Sequence, residues 1–186
     1  MLKTLLLGMG NPILSDDAVG VRLAGEFRRR LESEGGCPGL TIQEECSLGG
    51  LNLLDLVPGF DRLIVLDSIR TGVGSPGSWY AFTAESLGET LHLDSIHDLN
   101  FATAMELGRR LGHKIPPDRE IHVLAVEIDD DRTFSETMTP ALEQAYPVLV
   151  EEIWAELRRL LRLAESAETT AWGGAQALDP AAAASG

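Results

Sequence analysis

The chain has 186 residues, 44% of them apolar and 24% charged, a balance that excludes disordered and fibrous classes and gives one domain with room for a real core. Fifteen Lys and Arg oppose 29 Asp and Glu, a net charge of −14, and the resulting negative field argues against nucleic acid and membrane surfaces as partners. Two cysteines, Cys37 and Cys46, are too few for a disulfide framework, and no run approaches the roughly 18 apolar residues of a membrane helix, so a reducing cytoplasm is the expected setting.

Strands and helices alternate along the chain. Thr4 to Leu7 is a short apolar run closed by Gly8, the pattern of a buried strand. Ser15 is placed to cap a helix whose apolar stripe repeats at Val19, Leu23, Phe27 and Leu31. Thr41 to Glu45 reads as a second strand, and Leu51 to Leu56 as a short helix stopped by Pro58 and Gly59. Arg62 to Leu66 is apolar without a break from Leu63 onward, as expected where both faces of a strand are covered. A turn at Pro76 and Gly77 leads into an edge strand over Ser78 to Phe82. Ser95 and Asp98 form a capping box ahead of a helix running to about Gly112, and Ile121 to Val126 is a further strand. Thr139 and Pro140 are the N-cap and first residue of a long amphipathic helix through Val148, Ile153 and Leu160.

This alternation predicts an α/β fold: three layers, α/β/α, about a central, mostly parallel sheet of about five strands, with one edge strand open to antiparallel pairing. Residues 1–163 form that domain. After Arg162 no Lys or Arg occurs, and residues 164–186 read as an Ala-rich tail, expected to be disordered, in which Trp172 and Leu178 are the only large apolar residues.

In an open α/β sheet the ligand crevice lies outside the carboxyl ends of the strands, and three places there carry chemistry. The first is Gly8 to Asp17. Gly8 and Gly10 resemble the opening of a dinucleotide fingerprint, but Ile13 stands where the third glycine would fall, and Pro12 removes a donor. Asp16 and Asp17 put negative charge where a phosphate would sit. Asp16 is explained by helix-start electrostatics; Asp17 is the candidate site residue. The second place is Asp67, closing the run Leu63 to Leu66. A carboxylate there is costly to desolvate unless Arg70, a loop amide or a ligand compensates it. The third is His97 at the start of the capped helix, where the positive helix end keeps the ring neutral. Two carboxylates and an imidazole could hold a divalent ion, nickel, zinc, manganese or iron. Cys46 with His97 is a lesser alternative, since a buried free cysteine is the commoner state.

These residues, in this order, resemble the hydrogenase maturation endopeptidases, which trim the C-terminus of the large subunit of nickel-iron hydrogenases. That family opens with a strand and Gly-x-Gly-Asn, then an Asp followed by Asp or Glu, then Gly; here these are Gly8, Gly10, Asn11, Asp16, Asp17 and Gly20. The Asp closing an apolar strand resembles Asp67, and the His opening a helix resembles His97. The similarity spans roughly Met1 to Leu157. After the second strand the family usually shows Asp-Gly-Gly-Thr, where this chain has Glu45, Cys46, Ser47 and Leu48, with Gly50 in agreement.

The resemblance implies a peptidase whose Asp17, Asp67 and His97 contact nickel, with the metal supplied by the hydrogenase large-subunit precursor. Asp17 and Asp67 are the candidates for the catalytic base, doubling as ligands, and a monomer is the expected state. A nickel-dependent binding module that does not cut, and a nucleotide-binding domain using Gly8 and Gly10, are the competing readings. The peptidyl-tRNA hydrolases share the Gly-x-Gly-Asn-Pro opening but place a catalytic His shortly after it, and Ser15 to Gly20 contains none.

Overall fold

The computed structural model describes residues 2–46, 52–87 and 96–161, with the backbone alone at 87, 96–100 and 102. The expectations for residues 164–186, for the loop from Ser47 and for the capping Ser95 lie outside the described residues. In chain order the elements are β1 (Thr4–Met9), a 3-10 turn (Ser15–Ala18), α1 (Val19–Ser33), β2 (Leu40–Cys46) and α2 (Leu53–Leu56). There follow β3 (Arg62–Ile69), β4 (Trp79–Thr83), α3 (Ala84–Leu87), α4 (Ile96–Arg110), β5 (Ile121–Glu127) and α5 (Pro140–Leu161).

The strands form one five-stranded sheet in the order β2-β1-β3-β5-β4. β1, β2, β3 and β5 are parallel, and β4 pairs antiparallel to β5 at one edge. Because side chains alternate along a strand, each face of the sheet takes every second residue. Leu6, Ile64, Leu66, Leu124 and Val126 pack with Val19, Leu23 and Phe27 of α1 and with Leu142, Leu149, Ile153 and Leu157 of α5. Leu5, Leu7, Leu63, Val65 and Val123 pack on the other face with Leu53 of α2 and Phe101, Ala104 and Met105 of α4. The unbroken apolar runs of β1 and β3 follow from this: both faces are covered, giving the three layers expected.

Two local expectations change. Ser15 does not cap α1. Its φ of +28° is left-handed, its hydroxyl donates to the Thr137 carbonyl (3.4 Å), and α1 begins without a side-chain cap. The cause is long-range: Leu14 bridges Phe134, and Ser15 N–H donates to the Ser135 carbonyl (3.2 Å), so the residue is committed to the segment before α5. β3 continues past Leu66 to Ile69, which places Asp67 inside the strand, opposite Ala125 of β5. α4 ends at Arg110, with Gly112 at φ +82° and the His113 N–H donating back to the Gly108 carbonyl, a glycine-closed helix end.

No helix among the described residues is long and apolar enough to cross a membrane.

Candidate active site

The sheet order fixes where a crevice opens. From β1 the chain crosses by α1 to β2 on one side, and β3 lies on the other side of β1. Between β1 and β3 the connections therefore part to opposite faces, which is the topological switch point where such sheets bind ligands. Asp17 follows β1 and Asp67 lies on β3, so both predicted carboxylates border this crevice.

Glycines let the turn that carries Asp17 approach β3. Gly8, on β1, faces α1 so closely that a Cβ there would lie 2.7 Å from the Ala24 Cβ and 2.8 Å from the Gly20 carbonyl oxygen. A Cβ on Gly20 would sit 2.4 Å from the carbonyl oxygens of both Met9 and Leu66. Gly10 has a φ of +125°, and a Cβ on it would lie 2.0 Å from the Asp17 carbonyl oxygen. The spacing read as a family motif is thus a packing device that seats the first turn after β1 directly over the ends of β1 and β3.

Seated there, Asp17 accepts the Asn11 N–H at Oδ2 (2.8 Å) and the Ser68 hydroxyl at Oδ1 (2.7 Å). Ser68 N–H in turn donates to Asp67 Oδ1 (2.8 Å). Both donors to Asp17 are neutral, and Asp17 forms no ion pair among the described residues. Arg70, considered as a partner for Asp67, pairs with Asp131 instead (3.2 Å). Of the compensations weighed for Asp67, the Ser68 amide is one that is present.

His97 is the second residue of α4. The far end of that helix sits at the amino ends of the strands: the Arg109 guanidinium donates to the Pro116 carbonyl (3.1 Å), and Lys114, just beyond, accepts from Gly59 N–H ahead of β3 (2.9 Å). Fifteen helical residues span roughly 22 Å, which carries the start of α4 to the carboxyl ends, the end holding Asp17 and Asp67. The His97 side chain lies outside the described residues, and among those described no group of three His, Cys, Asp or Glu residues is close enough to hold a metal ion.

Asp16 points away from the crevice. It is fully buried, at 0% exposure, and its carboxylate accepts N–H groups from Asp129, Asp130 and Thr139 and the Thr139 hydroxyl. Its work is to tie the turn after β1 to the start of α5, not to favour its own helix. Cys46 is buried in the core with Met9 and Leu53, which removes it from consideration as a nucleophile.

Two residues near the site escape a reading of the sequence. Ser68 is one, because its importance lies in what it touches across the chain. Glu127 is the other: it ends β5 as Asp67 follows the apolar run of β3, a signal that could have found it. At 2% exposure it accepts the N–H (2.8 Å) and hydroxyl (2.8 Å) of Thr71, the Gly72 N–H (3.3 Å) and the Tyr80 hydroxyl (3.2 Å). Burial, with Glu127 beside it, pushes the Tyr80 phenol above its ordinary pKa, so this phenol stays a donor. The loop leaving β3 is thereby clamped to the end of β5.

The family profile of the hydrogenase maturation proteases matches residues 45–156. The chain belongs to that family. Membership makes it a peptidase, and the matched span contains Asp67 and His97, with Asp17 ahead of it. The hydrogenase 2 maturation protease of Escherichia coli (strain K12) is 27% identical over 168 residues, covering 84% of this chain and 92% of that protein.

Solved structures agree in fold. An endopeptidase from Escherichia coli, determined in solution, superposes with a TM-score of 0.67 at 24% identity, covering 85% of this chain and 93% of that one. The hydrogenase maturating endopeptidase HybD from Escherichia coli gives 0.64 at 24% identity with the same coverage. The [NiFe] hydrogenase maturation protease HybD from Thermococcus kodakarensis gives 0.58 at 21%, over 84% of this chain and 99% of that one.

Proposed function

We propose that this maturation protease removes a C-terminal peptide from the nickel-loaded precursor of a nickel-iron hydrogenase large subunit. The observation that carries the reading is the pair Asp17 and Asp67, brought to one crevice through Ser68, with only neutral donors on Asp17 among the described residues. A carboxylate so placed is matched by a cation that arrives from outside. The nickel is cargo of the substrate: Asp17, Asp67 and, at the start of α4, His97 would engage it when the precursor docks, so that an unloaded precursor lacks the feature that seats it.

Two oxygen donors and one imidazole suit a borderline divalent ion. Docking then places the scissile peptide beside carboxylates already oriented by hydrogen bonds, and orientation of this kind supplies much of the rate gain in hydrolysis. Asp17 and Asp67 are the groups able to take a proton from an attacking water and return it to the departing amine.

The test uses the purified protease with nickel-loaded and nickel-free precursor and reads the intact mass of the precursor. Loss of a short C-terminal peptide from the loaded form alone is expected. A stable, uncut complex would identify a binding module, and equal cutting of both forms would remove nickel as the recognition element.

A further inference from the structure

We infer that Ser68 is a positioning residue that holds Asp17 and Asp67 in register with one another. The inference rests on the reading of those two carboxylates as the groups that engage the precursor's nickel. Ser68 contacts both: its hydroxyl donates to Asp17 Oδ1 (2.7 Å) and its N–H donates to Asp67 Oδ1 (2.8 Å). The pairing of β1 with β3 stops at Gly8 and Leu66, whereas β3 stays paired with β5 through Asp67, Ser68 and Ile69. Past Leu66, then, the edge of β3 that faced β1 is open to the crevice while its backbone remains fixed by β5. Strand alternation sends the Ser68 side chain to the face opposite Asp67, the face covered by α1. The hydroxyl thus reaches Asp17 from a rigid strand.

A carboxylate has about four acceptor positions. Asn11 N–H and the Ser68 hydroxyl occupy two on Asp17, one on each oxygen, and leave the others for a cation. Without the hydroxyl, Asp17 loses one of these two holds, its carboxylate can turn, and binding a cation must first order it, at a cost in affinity.

The experiment compares the full-length protein with Ser68→Ala and Ser68→Thr, measuring Ni2+ affinity by calorimetry, precursor cleavage as separate kcat and KM, and thermal unfolding. Ser68→Ala should bind Ni2+ about tenfold more weakly, the scale of one hydrogen bond to a charged group. It should raise KM for loaded precursor by a similar factor, and Ser68→Thr, which keeps the hydroxyl, should restore both. Wild-type affinity and KM in Ser68→Ala, whatever its melting temperature, would overturn the inference, as would a Ser68→Thr variant that folds but rescues neither. A wild-type protein that neither binds Ni2+ nor cuts loaded precursor would overturn the proposed function itself, and the role of Ser68 with it.

Discussion

Thr139 donates both its N–H and its hydroxyl to Asp16, at 2.7 and 3.0 Å. The N-cap predicted for α5 is therefore itself held by a buried carboxylate from the other end of the chain. The Arg22 guanidinium reinforces the same junction through the Glu136 carbonyl and the Glu143 carboxylate. Asp16 and Asp17, adjacent and chemically alike, consequently do different things: one closes the fold and the other faces the crevice.

Removing the first should damage stability. Asp16→Ala leaves N–H groups of Asp129, Asp130 and Thr139 without their acceptor, and urea unfolding should show a loss of about 3 kcal/mol. Asp17→Asn should unfold within about 1 kcal/mol of the wild type, because its side-chain oxygen can keep the Asn11 N–H while the Ser68 hydroxyl turns to accept from the new amide.

Activity should respond in the opposite sense. Asp17→Asn, Asp67→Asn and His97→Ala should each keep a native circular-dichroism spectrum and lose cleavage of loaded precursor by about 100-fold or more, the scale of a lost general base or its equivalent. A variant that cuts at the wild-type rate removes that residue from the site.

Gly20 has no room for a methyl group, since backbone carbonyls of β1 and β3 lie 2.4 Å from where its Cβ would be. Gly20→Ala should cost about 1–3 kcal/mol through overpacking, measurable as a lowered urea midpoint with an unchanged slope.

Glu127 binds the loop that follows β3 through the amides of Thr71 and Gly72. Glu127→Gln turns part of the acceptor into a donor facing donors, and should lower stability by about 1–3 kcal/mol. Hydrogen exchange should report faster opening at the Thr71 and Gly72 amides, with those of β1 less affected.

His122 lies half-buried on β5, and burial, with the Arg62 guanidinium next in effect, lowers its pKa from 6.5. Arg159 acts in the same sense, while Glu120 and Glu156 oppose it. The unfolded chain then takes up a proton before the folded one, so the stability this residue contributes is full above pH 6.5 and is lost as the pH falls through its folded value. His122→Gln should flatten that part of a stability–pH curve. The decline set by Glu26 and Glu151, whose carboxyls are held low chiefly by hydrogen bonds from arginines, falls below pH 4.5 and should remain.

Much of the architecture was legible in the order of residues because burial leaves a local, periodic trace. Unbroken apolar runs at Leu63 to Leu66 and at Val123 to Val126 belong to strands covered on both faces. The stripe Val19, Leu23, Phe27 and Leu31 is the buried face of α1. The turn at Gly77 and the helix start at Pro140 stand where local backbone rules put them. Asp67 and Asp17 were legible as well, since a carboxylate beside an apolar strand or a glycine turn needs a reason to be there.

The division of labour between Asp16 and Asp17 was not legible, because it is set by the left-handed turn at Ser15 and the bridge of Leu14 to Phe134, contacts between distant parts of the chain. Nor could the reach of Ser68 to Asp17, or of Glu127 to Thr71, be read from either neighbourhood alone. The sequence by itself determined the layers, the strands and which acids follow apolar runs, since each depends on spacing along a few residues. Only the tertiary structure decided which of those acids meet, because a hydrogen bond acts over about 3 Å, and which groups come that close depends on how β1, β3 and β5 are laid side by side.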